Sequence, residues 1–438
     1  MVDPATGERL DDGLVLWFPA PHSATGEDVA ELHVHGSRAV LSAIMQVLHG
    51  LGLRLAEPGE FTRRAFLNGK LDLLQAEAIA DLVAAETEAQ RRQALRQLDG
   101  ELGRLYRGWS DRLTRVLAHL EAAIDFPDEN LPPETEDRIF GETAALTAEI
   151  ERHLADGHRG ERLRDGIMVA IIGPPNAGKS SLLNRIARRD AVITSPIAGT
   201  TRDIVEIAVD LQGYPVVLAD TAGLRDSDDI VEQEGLRRAL RRAEEAEIRL
   251  FVFDARCPDQ GQGAAAWPGP DTILVANKVD LLRSSEAAGT AVMPGLDPGI
   301  HDAAITSLAA VAEGVGAHGT TPWAEGPRDK PGHDEEGTTE KTLPVSALTG
   351  EGMEGLLSAL GARVAQTFRI EAPVLTRARH RRALEDAAAG LRRATVAVLP
   401  ELRAEDLRLA LRSLGHITGT VEVEDLLDVI FRDFCIGK

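Results

Sequence analysis

The sequence predicts a multidomain α/β protein. A segment of alternating strands and helices is set into a discontinuous helical domain and preceded by a small α+β region. Three observations predict this. Apolar runs of strand length alternate with helical spacing between about residues 163 and 365. Helical periodicity fills the chain on both sides of that stretch. The opening residues mix short strands with one amphipathic helix. With 438 residues, two or three domains with ample cores are expected.

The first region, 1–68, reads as a strand at Gly13–Phe18, a strand at Ala30–Val34 and a helix over Ser37–Leu51. His33 and His35 lie two apart on a strand and share a face, but no third metal ligand accompanies them, so surface histidines with ordinary partners are expected. Residues 69–162 form the first half of the helical domain. Within it Leu95, Leu98, Leu102, Leu105, Trp109, Leu113, Val116 and Leu120 recur every three or four positions. Such a stripe predicts one long helix with a core-facing side. The acidic, proline-bearing run Asp125–Asp137 ends it.

Residues 163–365 carry the chemistry. Gly166–Ile172 is a strand, Ser181–Arg188 has helical spacing, and Gly173–Ser180 between them fits G-x-x-x-x-G-K-S. A strand, a glycine loop and a helix N-terminus form a phosphate cradle of inward N–H groups at the positive end of a helix dipole. Asn176, Ala177, Gly178, Lys179, Ser180 and Ser181 belong to it. Lys179 would reach the outer phosphates and the Ser180 hydroxyl would hold Mg²⁺.

Further on, Ser195, Pro196, Ile197, Ala198, Gly199, Thr200 and Thr201 run through a polar loop able to fold over a γ-phosphate, with Thr201 on Mg²⁺. The strand Val216–Ala219 leads into Asp220, Thr221, Ala222 and Gly223, an acid and a glycine suited to a switch. Strands at Leu250–Phe253 and Thr272–Ala276 follow, the second delivering Asn277, Lys278 and Asp280. A carboxylate at Asp280 can accept two hydrogen bonds from guanine N–H groups, a pair adenine lacks. Ser346, Ala347 and Leu348 would close over the base. Five motifs in this order specify GTP. Leu224 stands where many GTPases carry a water-orienting glutamine, and an apolar side chain cannot hold the attacking water. Asp226, Asp228, Asp229, Glu232 and Glu234 are all acids within reach of that duty, and spacing does not choose among them.

Between 284 and 341 the chain turns rich in Gly, Pro, Ala and His, with the echoes Asp297–Asp302 and Asp329–Asp334. This composition predicts a disordered insert rather than a site. Residues 366–438 resume helical patterning at His380–Leu399, Glu405–Ile417 and Glu422–Phe434, the expected cover for the long stripe. Arg377, Arg379, Arg381 and Arg382 form the densest basic cluster, to be read equally as an RNA or protein contact or as a solvated helix start. A net charge of −22 excludes a generic nucleic-acid coat while allowing a local basic patch. Two cysteines, Cys257 and Cys435, cannot build a disulfide framework, and no apolar run reaches the roughly 18–20 residues of a membrane span. A cytoplasmic protein with no membrane partner is expected. The Cys435 position four from the end fits prenylation poorly, since Gly437 and Lys438 follow.

These motifs, with Thr25–Asp28, Pro58–Phe61, Lys70–Glu77 and the terminal Phe434–Lys438, resemble the MnmE (TrmE) family of tRNA modification GTPases over nearly the whole chain. The resemblance implies a Ras-like G domain within the helical domain and a folate-binding, dimerising N-terminal domain. It implies a homodimer working with the FAD protein MnmG as a heterotetramer on tRNA. Together they would add an aminomethyl-type group at carbon 5 of the wobble uridine, with the one-carbon unit supplied by a 5-formyltetrahydrofolate-type cofactor. K⁺ would be held by Asn176, Ser195, Ile197 and Thr200, with Ser195 standing where threonine is more usual. Glu232 takes the water-positioning role, Cys435 the catalytic thiol, and Glu31, Lys70 and Lys438 the folate contacts. The family's opening segment of about fifty residues is expected to be missing ahead of Met1. Two other readings stand beside this one: a truncated GTPase that hydrolyses GTP without modifying tRNA, and a ribosome-assembly GTPase.

Overall fold

The structure is a computed structural model that describes residues 1–125, 134–156, 158–189, 206–220, 244–266, 271–282, 342–368 and 374–420. The chain divides into two compact units. One comprises Met1–Ala85, Gln90–Glu161 and Ile370–Lys438; the other comprises Glu86–Ala89 and Arg162–Arg369. The expected insert at 284–341 and the helix at Glu422–Phe434 lie outside the described residues.

In the first unit, β1 (Leu14–Phe18) pairs antiparallel with β2 (Val29–His33), with Leu16 opposite Glu31. The helix α1 (Arg38–Gly50) begins where Ser37 Oγ accepts the Val40 N–H at 3.3 Å, an N-cap of the expected kind. Next come α2 (Glu60–Leu67) and α3 (Leu73–Ala84). The start of α3 is a capping box: Asp72 Oδ1 accepts from the Gln75 N–H at 2.8 Å, and Gln75 Oε1 accepts from the Asp72 N–H at 3.0 Å. His33 and His35 have ordinary partners, Glu31 and Asp11, as expected.

The single long helix expected through the leucine stripe is two helices, α4 (Glu88–Leu98) and α5 (Glu101–Asp125). Gly100, at φ +79°, turns the chain between them. A glycine in left-handed backbone ends a helix at little steric cost. Leu95 and Leu98 therefore ride on α4, while Leu102, Trp109, Leu113, Val116 and Leu120 of α5 are buried. They pack with α6 (Glu134–Leu154) and with α10 (Ala378–Val396) and α11 (Pro400–Thr418), in one core that reaches Leu384, Leu391, Leu407, Leu414 and Ile417. That helical core is assembled from segments on both sides of the second unit.

A buried ionic knot joins the halves. Glu77 on α3 is 1% exposed and accepts both Nε and Nη2 of Arg379, at 2.6 and 2.7 Å. His380 Nε2 lies 2.9 Å from the same carboxylate, and Arg377 reaches Asp81 at 2.7 Å. Arg381 donates to Asp156 and to the Leu154 carbonyl at 2.8 and 2.9 Å. Of the basic cluster read from the sequence, only Arg382 is exposed. Arg381 is buried and Arg377 and Arg379 are partly buried, with carboxylate partners for all three, so most of the cluster's charge is engaged within the helical unit. Burial alone would raise the Glu77 carboxyl; His380 and the Arg379 guanidinium reverse this and hold it below the usual carboxylate range.

The second unit is a six-stranded sheet ordered β4 (Glu206–Leu211), β5 (Tyr214–Asp220), β3 (Ile167–Ile172), β6 (Ile248–Asp254), β7 (Thr272–Asn277), β8 (Leu343–Pro344). Only β4 runs antiparallel to its neighbour. The central strands are continuous apolar runs because both faces are covered. The helices α8 (Lys179–Arg189) and α9 (Met353–Thr367) supply Leu182, Leu183, Leu356 and Leu360 to one covering layer.

Glu77→Gln is expected to destabilise the helical unit by about 3–5 kcal/mol, because it strands buried cations. A thermal melt of the full chain reads this out. The folded pKa of Glu77 is depressed, so its contribution is complete above the unfolded carboxylate value of 4.5 and is lost as pH falls through the folded value. The gap between wild type and Glu77→Gln should therefore shrink in acid.

Candidate nucleotide-binding site

The parallel strands β3, β6, β7 and β8 point their C-terminal ends the same way, and β3 sits where the connections turn to opposite sides. In such sheets ligands bind at that edge. The loop after β3 is shaped by two glycines that no other residue could replace. A Cβ on Gly173 would stand 2.0 Å from the Val252 carbonyl oxygen, and one on Gly178 would stand 2.4 Å from Asn277 Nδ2. Gly178 also has φ +91°, and Asn176 takes φ +61°, left-handed backbone that asparagine tolerates. Lys179 opens α8, is 7% exposed, and its Nζ donates to the carbonyls of Gly173 and Pro174 at 2.9 and 3.0 Å. Its ammonium is thus held inside the loop curl. Ser180 and Ser181 follow on the first turn of α8, both exposed.

Asn277 ties this loop to the base-reading side. Its Nδ2 donates to the Ala177 carbonyl at 2.9 Å, and its Oδ1 accepts the Ala347 N–H at 3.0 Å. Asn277 is 1% exposed. Ser346, fully buried, donates from Oγ to Asp280 Oδ1 and accepts the Thr349 N–H at 3.0 Å. One carboxylate oxygen of Asp280 is fixed in this way, orienting the group. Arg185 of α8 donates to the Thr349 carbonyl at 2.7 Å and steadies the closing turn, while Leu348 stays exposed.

One acid escaped the sequence reading. Asp254, at the end of β6, accepts Nε and Nη2 of Arg256 at 3.0 and 2.7 Å and Nζ of Lys278 at 3.0 Å. Arg256, and then Lys278, hold its carboxyl well below the usual carboxylate range against the opposing effect of burial. Lys278 also donates to the Asn176 carbonyl, so its stem spans from β6 to the phosphate loop. The available signal was an acid directly after the apolar run Leu250–Phe253.

The structure therefore brings together Asn176, Ala177, Gly178, Lys179, Ser180, Asn277, Lys278, Asp280, Ser346 and Ala347. The backbone of Asp220 ends β5 directly beside Ile171 of β3, which places it next to the phosphate loop. Ser195, Pro196, Ile197, Ala198, Gly199, Thr200, Thr201, Thr221, Ala222, Gly223, Glu232, Cys435 and Lys438 lie outside the described residues. Glu31 is exposed on β2, and exposed Lys70 follows α2. The Thr25–Asp28 loop is fastened to the end of α2 by Asn68 Nδ2, which donates to the Thr25 carbonyl at 2.8 Å. Among the described residues no group of three or more His, Cys, Asp or Glu side chains converges as a metal site.

The loop geometry fits the phosphates of a nucleoside triphosphate. Only glycines allow the backbone to close around an anion here, Lys179 supplies a caged cation, and the Ser180 hydroxyl follows at the helix start.

The family model described as the MnmE helical domain matches residues 73–435. The one described as the GTP-binding protein TrmE N-terminus matches residues 1–70. The tRNA modification GTPase MnmE of Rhodospirillum rubrum is 54% identical over 435 residues, spanning 99% of this chain and 85% of that protein. Its counterpart in Parvibaculum lavamentivorans is 51% identical over 442 residues, covering 100% and 89%. That of Paramagnetospirillum magneticum is 52% identical over 434 residues, covering 99% and 88%.

Asn277→Ala removes both hydrogen bonds that couple the phosphate loop to the closing turn and leaves a buried carbonyl and N–H unpaired. Nucleotide affinity should fall by about 2–3 kcal/mol, roughly 30- to 150-fold, in a titration with fluorescent GDP.

Proposed function

The chain belongs to the MnmE family of tRNA modification GTPases, and from that premise we propose that it hydrolyses GTP while modifying the wobble uridine of tRNA. The observation that carries the hydrolytic half is the Asn277 bridge. It links the phosphate loop, the guanine-reading Asp280 and the closing Ser346–Ala347 turn in one rigid frame.

Each residue has a defined task. Lys179 leaves its two loop carbonyls for the β- and γ-phosphates, exchanging neutral acceptors for charged ones. The Asp280 oxygen that Ser346 does not occupy accepts from guanine, and the Ala347 region caps the base. Ser180 and Thr201 are the residues that would hold Mg²⁺, which neutralises charge building on the phosphates. Asn176, Ser195, Ile197 and Thr200 would hold K⁺, which supplies the positive charge that an arginine finger supplies elsewhere. Glu232 positions the attacking water in place of the glutamine that Leu224 displaces.

The reading extends to a homodimer acting with MnmG, with Glu31, Lys70 and Lys438 around a 5-formyltetrahydrofolate-type cofactor and Cys435 serving the modification. In support of dimerisation, Val15 and Trp17, two apart on one face of β1, are 54% and 61% exposed, an apolar surface that water does not favour. The reading includes a cytoplasmic location; among the described residues no helix is long and apolar enough to cross a membrane.

GTP turnover is expected in K⁺ and to fall at least about tenfold in Na⁺, and Glu232→Ala should lose about 100-fold or more. Equal rates in the two salts would overturn the K⁺ assignment. Installation of the C5 group on a wobble-uridine tRNA, with MnmG and folate added, tests the second half. Asp280→Asn replaces an acceptor with a donor, and should shift preference from GTP to xanthosine triphosphate by about 100-fold or more in competition.

A further inference from the structure

With Arg377, Arg379 and Arg381 each held by carboxylates, cations without such partners are to be sought elsewhere on the helical unit. Arg112, Arg115, Val116 and His119 succeed one another at three- and four-residue steps on α5 and share one face. Arg138, Ile139 and Glu142 of α6 complete a cavity of ≈ 270 Å³ with them. Val116 and Ile139 are buried and form its apolar floor. The charges divide into a spent and an unspent set. Arg112 donates to Glu142 at 2.6 Å and to Glu149 at 2.7 Å, and Glu149 also accepts the Trp109 indole N–H at 3.0 Å. Both carboxylates are thereby committed. Arg115, Arg138 and His119 are exposed, and among the residues whose side chains are described, which leaves out 126–136, no carboxylate pairs with them.

Leaving cations clustered a helical turn apart costs energy unless an anion sits among them. Two guanidinium forks on different helices, an imidazole N–H and an apolar floor match a phosphodiester with its sugar edge: the forks take the non-bridging oxygens and the floor takes the ribose. We propose that this cleft between α5 and α6 binds the phosphate backbone of an RNA strand, with Arg115 and Arg138 as the phosphate contacts. Arg112 acts through Glu142 and Glu149 as a positioning residue that keeps both carboxylates away from the incoming anion. The proposal rests on the tRNA reading above and deepens it by giving a net-acidic chain a specific place to hold tRNA.

The test is binding of a wobble-uridine tRNA transcript to the full chain by fluorescence anisotropy across a salt series, with GTP turnover measured in parallel. Arg115→Ala/Arg138→Ala should weaken binding about tenfold at ~0.1 M salt and flatten the slope of log affinity against log salt by about 1–2. GTP turnover without tRNA should be unchanged. Arg115→Lys/Arg138→Lys should keep most of the slope, which a merely structural role would not predict. Arg392→Ala/Arg408→Ala, removing two cations already paired with Glu151 and Glu121, should change little. Unchanged affinity and slope in the double alanine variant would overturn the cleft while leaving the tRNA reading intact. No tRNA binding by wild type, with GTP turnover preserved, would overturn both. Displacement of the tRNA by polyglutamate at equal charge would overturn the assignment to RNA.

Discussion

The carboxamide of Asn277 is the hinge pin of the nucleotide site. Among the described residues it is the one buried side chain that donates to the phosphate loop and accepts from the closing turn. Its two opposite hydrogen-bonding ends make this possible, and no carboxylate or aliphatic side chain offers both. The demand propagates outward. Nδ2 must approach Ala177, so position 178 cannot carry a Cβ. The approach also fixes the end of β7, so that Val345 N–H reaches the Ala276 carbonyl at 2.8 Å and β8 pairs there although it is only two residues long. A short edge strand can be placed this firmly because its register is set by a side chain beyond its end.

The helical unit meets a different constraint: its core must be assembled from segments separated in sequence by a whole nucleotide-binding unit. Apolar faces alone do not choose a register, since α5, α6, α10 and α11 are rich in Leu and Ala that would interdigitate in several ways. The Glu77 knot is directional. A bidentate Arg379 and a fully buried His380 engage one carboxylate, and a one-residue slip of α10 would strand them all. Such a network adds little net stability over an apolar replacement, but it strongly penalises the wrong arrangement.

Much of this was legible in the sequence, and the failures have physical causes. The strands at β3, β5, β6 and β7 announced themselves as short apolar runs, and the phosphate loop and Asn277–Asp280 by residue type and order. The break at Gly100 was hidden because the leucine spacing stays in phase across it, so periodicity reads one helix where the backbone makes two. Strand β4, Glu-Ile-Ala-Val-Asp-Leu, carries acids at both ends of a short run and was passed over. The internal partners of the arginines at 377–381 were not legible because a charge count sees cations and not the carboxylates folding brings to them. Glu77, Asp81 and Asp156 lie some 220 to 300 residues away in the chain. Asp254 was missed for the mirror reason: a single acid has no motif until Arg256 and Lys278 stand beside it.

The same logic governs where an acidic chain can meet an anion. With a net charge of −22, the long-range field repels nucleic acid, so contact must come from short-range sites where cations have not been consumed internally. Conspicuous sequence clusters are poor guides, because folding pairs the cations that matter most to the core. Residual charge accumulates instead where one residue absorbs the local carboxylates and frees its neighbours, as Arg112 does by taking both Glu142 and Glu149. At about 10 Å screening length in ~0.1 M salt, such a cleft acts over roughly the distance between adjacent helices. It can hold a phosphate locally without altering the repulsive sign of the whole molecule, which favours specific seating over nonspecific coating.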